Sequence, residues 1–195
     1  MRGGTSPGLT LAWATTSEVC GFAHRILLAG ALVLPALTGY ADSVYETNAQ
    51  FLDRAFDGNP PDARVLWLSG EVKAGVRERL GHDYPALRLR YWCRAARSAW
   101  ILEEIGKELP ITVGLIVEAG RIESLRVLVY RENRGGEVAR ATFSDQFNGA
   151  GPGRQRGLDT GIDGITGATL SVQALTRLAG VGLYLHTKTA CANGA

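Results

Sequence analysis

The stretch that most constrains the fold is "ITVGLIVEAGRIESLRVLVY" (Ile111 to Tyr130), two β-rich apolar runs on either side of Glu118-Ala119-Gly120-Arg121. So short a connection between two such runs folds back as an antiparallel hairpin, with Gly120 free to take a positive φ. A lone hairpin is marginal in water, so it must recruit further strands or a helix. "LRLRYW" (Leu87 to Trp92), which alternates apolar and basic residues, and the "SAWILEEI" that follows it are the natural recruits. Together these runs predict an antiparallel sheet of about four or five strands.

Helical periodicity flanks the strands. "VYETNAQFLDRAF" (Val44 to Phe56) places Phe51, Leu52 and Phe56 at helical spacing, and "GNPP" (Gly58 to Pro61) ends it. "EVKAGVRERLG" repeats the pattern with Val72, Val76 and Leu80 on one face and Gly81 as its stop. From Ala168 onward Leu170, Ala174, Leu175, Leu178, Val181 and Leu185 recur at three- and four-residue intervals, a buried-face helix of about five turns. The expected class is therefore α+β, an antiparallel sheet packed with helices, the last of them C-terminal.

A chain of 195 residues, 46% hydrophobic and 21% charged, is one ordinary globular domain, or one domain behind a processed leader. Its 21 basic and 19 acidic residues are interspersed, which leaves no polybasic footprint for nucleic acid. The leader is legible: His24 and Arg25 precede the apolar run Ile26 to Leu37, which ends in "TGYADS", with Gly39 and Ala41 placed for a signal peptidase. Cleavage after Ala41 leaves 154 residues (195 − 41) in the periplasm. The other reading is a retained anchor at the inner membrane, although the run is shorter than the roughly 20 apolar residues a span needs. Residues 1 to 23 are long and unpatterned for a charged n-region, as a start codon assigned too far upstream would leave them.

The expected organisation is a leader (1–41), an N-terminal helical segment (42–86), a sheet-and-helix domain (87–187) and a short tail (188–195). Cys93 and Cys191 survive cleavage, and an oxidising compartment allows either a disulfide or two independent thiols. No metal or haem spacing involves His24, His82 or His186.

Chemistry concentrates after the hairpin. A polar turn (Glu132 to Gly136) and a glycine-rich stretch (Asn148 to Gly161) break the sheet pattern, and loops of that length in a compact domain usually carry function. Then comes "DGITGATLS" (Asp163 to Ser171) at the start of the last helix, where Thr166 or Gly167 falls at the cap and Thr169 in the first turn. Unpaired amides and the positive end of the macrodipole make such a helix start a phosphate site that Gly167 lets a ligand approach and to which Thr169 adds a hydroxyl. Thr166 as a plain cap with nothing bound explains the same residues. A nucleophilic hydrolase is a weak reading, because no G-x-S-x-G or S-x-x-K arrangement accompanies Thr169 or Ser171.

"DGITGAT" resembles the flavinylation motif D-x-x-[ST]-G-A-[ST] of the FMN-binding domain family, which includes the C subunit of the sodium-translocating NADH:quinone reductase and the G subunit of the Rnf complex. "RENRGGE" (Arg131 to Glu137) resembles the family's E-[ST]-P-G turn, and "FSDQFNG" (Phe143 to Gly149) its W-x-x-Q-F-x-G segment, in the same order along the chain. The resemblance spans roughly Ile111 to His186, with looser likeness from Leu87 to single-domain periplasmic members. It implies FMN held covalently by a phosphoester to Thr169, with Asp163, Thr166, Gly167 and Ala168 completing the motif and Glu132 and Gly135 in the turn beside it. It also implies a flavin transferase for maturation, which uses FAD and Mg²⁺, and an unidentified redox donor and acceptor, one of which could be an integral-membrane subunit. The expected role is electron carriage by an exported flavoprotein rather than stand-alone catalysis; a non-redox binding or assembly module of the same fold is the alternative. Asn133 and Arg134 depart from the family's [ST]-P and Phe143 from its tryptophan. An arginine at 131 or 134 near the ring would favour the anionic reduced flavin.

Overall fold

A computed structural model of the chain describes residues 42–154 and 157–193. The leader, with its apolar run and cleavage site, lies outside the described residues. Along the chain come β1 (Ser43–Val44), α1 (Asn48–Ala55), β2 (Arg64–Trp67), α2 (Gly70–Leu80), β3 (Arg88–Arg94), β4 (Arg97–Ile105), β5 (Pro110–Glu118) and β6 (Arg121–Tyr130). A 3-10 turn (Gly136–Ala139), the one-turn helix α3 (Ala141–Ser144) and a second 3-10 turn (Asp145–Phe147) lead to the long α4 (Thr169–His186).

The architecture is α+β, and every pairing in the sheet is antiparallel. Among the described residues the sheet has six strands in the order β1-β6-β5-β4-β3-β2, against the four or five expected. Both additional strands come from the segment 42–86, which was expected to be helical. β1 is only two residues long, and β2 is a four-residue edge strand with no in–out alternation, so neither carries a readable pattern. The first helix is correspondingly shorter than the Val44–Phe56 expected: a capping box between Thr47 and Gln50 starts it at Asn48.

The β5–β6 hairpin turns as its sequence required. Glu118 pairs with Arg121, and both intervening residues have positive φ, 48° at Ala119 and 76° at Gly120, the two-residue geometry whose twist matches the strands. β5 is buried along nearly its whole length because both faces of the sheet are covered. On one face α1 lays Phe51, Ala55 and Phe56 against Ala99, Ile116 and Leu128. On the other, α2 and α4 close over a larger core around Trp100, Leu102, Leu115 and Leu125, where each buried large apolar side chain contributes about 1.5–3 kcal/mol. A disulfide joins Cys93 in β3 to Cys191 in a 3-10 turn after α4 (Ala190–Asn193), Cα atoms 6.0 Å apart, and resolves the choice the sequence left open. It ties the chain beyond α4 to the sheet that α4 covers.

Candidate functional site

The end of β6 and the start of α4 meet at one corner of the sheet, and the residues between them explain how. The Tyr130 hydroxyl, which closes β6, donates to the Arg134 carbonyl and accepts from the Ser171 hydroxyl at 3.0 Å, which fastens the turn after the hairpin to the first turn of α4. Burial, helped by the nearby carboxylates of Glu132 and Glu137, raises the Tyr130 pKa against the opposing effect of the Ser171 bond, so the phenol keeps its proton. Gly135 lies under this contact with φ 86°; a Cβ there would stand 2.8 Å from the Tyr130 oxygen and 3.1 Å from the Ala168 Cβ. The glycine is therefore required on two counts, backbone and space.

The motif itself forms a tight turn. The Ala168 N–H donates to the Ile165 carbonyl at 3.0 Å, with Gly167 at φ 85°, the third position of a type II turn. This moves the cap of α4 one residue past the expected Thr166 or Gly167. Ala168 is the N-cap, no side chain caps the helix, and Thr166 is exposed in the turn. The amides of Thr169, Leu170 and Ser171 are thus left for an outside acceptor. A Cβ at Gly167 would meet nothing within 4 Å, so the approach to those amides is open. Thr169 is exposed in the first turn, and no acid or base hydrogen-bonds to its hydroxyl among the described residues. Leu170, expected on the buried face, is instead 47% exposed, because the first turn of α4 points Ser171 and Val172 inward and leaves Leu170 on the cleft.

A cleft of about 400 Å³ is lined by Thr169, Ala168, Gly167, Leu170, Lys107 and Glu132 among others. Next to it, sharing Asn133, Arg134 and Gly167, lies a second recess of about 680 Å³. Of the expected site residues, Thr166, Gly167, Ala168, Thr169, Glu132 and Gly135 therefore lie together on these two hollows. Asp163 does not: it is exposed upstream of the turn, and its backbone N–H donates to the Gln146 side chain at 2.8 Å. That bond gives Gln146, in the stretch Phe143 to Gly149, a task, since it holds the loop that delivers the motif. Phe143 and Phe147 beneath it are buried, with rings 5.8 Å apart edge to face.

Glu132 faces the cleft, but its carboxylate is already engaged. Oε1 accepts the backbone N–H groups of Lys107, Glu108 and Leu109 at 2.6, 2.6 and 2.8 Å. Partial burial works against the charge, yet these three donors outweigh it and hold the carboxyl below its ordinary value. Glu132 thus builds the cleft wall by fixing the β4–β5 turn. Arg131 is similarly committed, to the Pro110 carbonyl at 3.0 Å, Thr112 Oγ1 at 2.9 Å and Asp42 at 3.2 Å. Of the two arginines singled out by the sequence, only Arg134 borders the hollows. The sequence reading placed Ser171 and Gln146 only within motif stretches and Tyr130 only at the end of a strand, because the roles of all three lie in contacts between distant segments.

These features suit a phosphorylated, partly planar ligand: uncapped amides beside an exposed hydroxyl, an open glycine, cationic Lys107 and Arg134, and hollows large enough for more than a phosphate. A family model described as an FMN-binding domain matches residues 106–182. No curated protein and no solved structure matches the chain.

Proposed function

With residues 106–182 belonging to the FMN-binding domain family, we propose that the protein carries FMN as a phosphoester on Thr169 Oγ1 and passes electrons in an extracytoplasmic or membrane-associated redox system. The observation that carries this reading is the uncapped start of α4, which sets an exposed threonine hydroxyl beside free amides at the edge of the cleft. Bound flavin supplies the electron chemistry, accepting and releasing one or two electrons. The chain's own contribution is attachment and environment. The amides of Thr169, Leu170 and Ser171 take the phosphate oxygens, Gly167 lets them approach, and Lys107 and Arg134 offset the charge.

An outside enzyme fits the attachment step, because no base among the described residues hydrogen-bonds to Thr169 to activate it. A flavin transferase would move the FMN part of FAD: a bond forms between Thr169 Oγ1 and the flavin-side phosphorus, the diphosphate bridge breaks, AMP leaves, and the hydroxyl proton is released. Two features support export: the apolar run Ile26 to Leu37 with its small residues at 39 and 41, and a buried disulfide suited to an oxidising compartment. Cleavage after Ala41 would leave β1 intact, since it begins at Ser43. Covalent attachment suits that location, where no pool of FMN replaces a lost cofactor. The electron donor and acceptor are partners of the exposed mouth, a membrane subunit among them.

Co-expression with a flavin transferase, followed by denaturing electrophoresis, should give a fluorescent band. Mass spectrometry should place one FMN less one water on the peptide containing Thr169, and Thr169→Ala should abolish both signals. Label that persists in Thr169→Ala would refute the assignment.

A further inference from the structure

We infer that Tyr45, outside the matched segment 106–182, forms a wall of the isoalloxazine site: the recess of about 680 Å³ beside Thr169 takes the ring, with Tyr45 against it and Arg134 and Arg140 at its polar edge. The inference deepens the proposed function and rests on it. The recess is lined by Tyr45, Arg134, Gly136, Glu137, Arg140 and Gly167 among others, and it joins the Thr169 cleft across Arg134 and Gly167. A ligand esterified at Thr169 can therefore cross the bare Gly167 backbone into it.

Tyr45 is 54% exposed, yet the chain on both sides of it is held. Ahead of it, Ser43 and Val44 pair with Tyr130 and Val129, and Asp42 meets Arg131 at 3.2 Å. The Tyr45 N–H itself donates to the Leu128 carbonyl at 2.9 Å. Behind it, both carboxylate oxygens of Glu46 accept from Arg54 at 2.9 Å, and the Thr47–Gln50 capping box follows at once. An exposed aromatic on a fixed backbone loses little further freedom when a flat ligand covers it. The Tyr45 hydroxyl would stand 3.5 Å from a Cβ at Gly136, so the phenol reaches over the turn that follows Glu132. An electron-poor tricyclic ring with carbonyl and N–H groups along one edge matches an electron-rich phenol flanked by two guanidinium groups.

The test uses flavinylated full-length protein, with FMN content measured after denaturation and native flavin emission normalised to it. A phenol against the ring returns the excited flavin to its ground state without emission, so the wild type should be dim. Tyr45→Leu should raise emission several-fold and weaken the visible circular dichroism of the flavin. Tyr45→Phe should raise emission but keep the dichroism, because a phenyl wall remains; Tyr45→Trp should stay dim. The exposed position leaves folding intact, which an unchanged melting temperature verifies. Equal emission from wild type and Tyr45→Leu at full FMN content overturns the assignment. A wild type that carries no flavin after co-expression overturns the proposed function, and the assignment with it.

Discussion

Replacing Glu132 with glutamine removes one charge from the wall of the cleft beside Thr169 without changing its shape. In the wild type, Oε1 receives three backbone N–H groups at 2.6–2.8 Å. Hydrogen bonds to a charged group contribute about 1.5–3 kcal/mol each and neutral ones about 0.5–1.5, a difference of roughly 1 kcal/mol per bond. The loss does not sum over all three, because the bonds to Lys107 and Glu108 are exposed and those amides regain water, whereas the bond to Leu109 is partly buried. We expect Glu132→Gln to lose about 2 kcal/mol at neutral pH. The pH dependence has a fixed sign. A carboxyl held below its ordinary value contributes its full stability above the unfolded pKa, and that stability is lost as pH falls through the lower folded value. The gap between wild type and Glu132→Gln should therefore be complete at pH 7 and close in acid. Urea unfolding followed by tryptophan emission, with Trp100 fully buried as reporter, measures it at both pH values. A gap equally wide at pH 7 and in acid would show that the charge on Glu132 does not hold the β4–β5 turn.

The Cys93–Cys191 bridge closes a separation of 98 residues, for which chain entropy gives about 4–5 kcal/mol and native disulfides commonly about 2–5. The double Cys→Ser variant, or the wild type under reductant, should unfold at clearly lower urea, and a matching midpoint would refute the linkage. His82 gives the opposite pH sign from Glu132. Its pKa is raised first by the hydrogen bond from Nε2 to Glu104 and next by that from Nδ1 to the Asp83 carbonyl, so its contribution is full below 6.5 and fades as pH rises through the folded value. NMR titration should find His82 above 6.5 in the wild type and lower in Glu104→Gln; because His82 is half exposed, the accompanying change in stability should be small.

The parts of this protein that were legible from sequence are those whose pattern is local and long. The hairpin from Ile111 to Tyr130 carries two full strands and its own turn, and α4 carries its periodicity over eighteen residues. Leu170 shows where periodicity stops informing: it has the helical phase of a core residue, but in the first turn of α4 Ser171 and Val172 are the residues turned inward, and Leu170 borders the cleft. The shift of the cap to Ala168 has a similar origin, since the positive φ of Gly167 makes residues 165–168 a turn of their own. Glu132 could be found in the sequence, but the direction of its carboxylate is set by amides at 107–109, more than twenty residues away. Tyr45 is the extreme case. Nothing in "SVYET" distinguishes it from any surface tyrosine, because its placement follows from a two-residue strand pairing with the far end of β6. The features of the proposed attachment are thus contiguous around Thr169, whereas the recess proposed for the ring is assembled from the residue after β1, the turn after β6 and the turn before α4. A sequence can keep the first while changing the second, so members with the same attachment motif can differ in the potential and accessibility of their flavin.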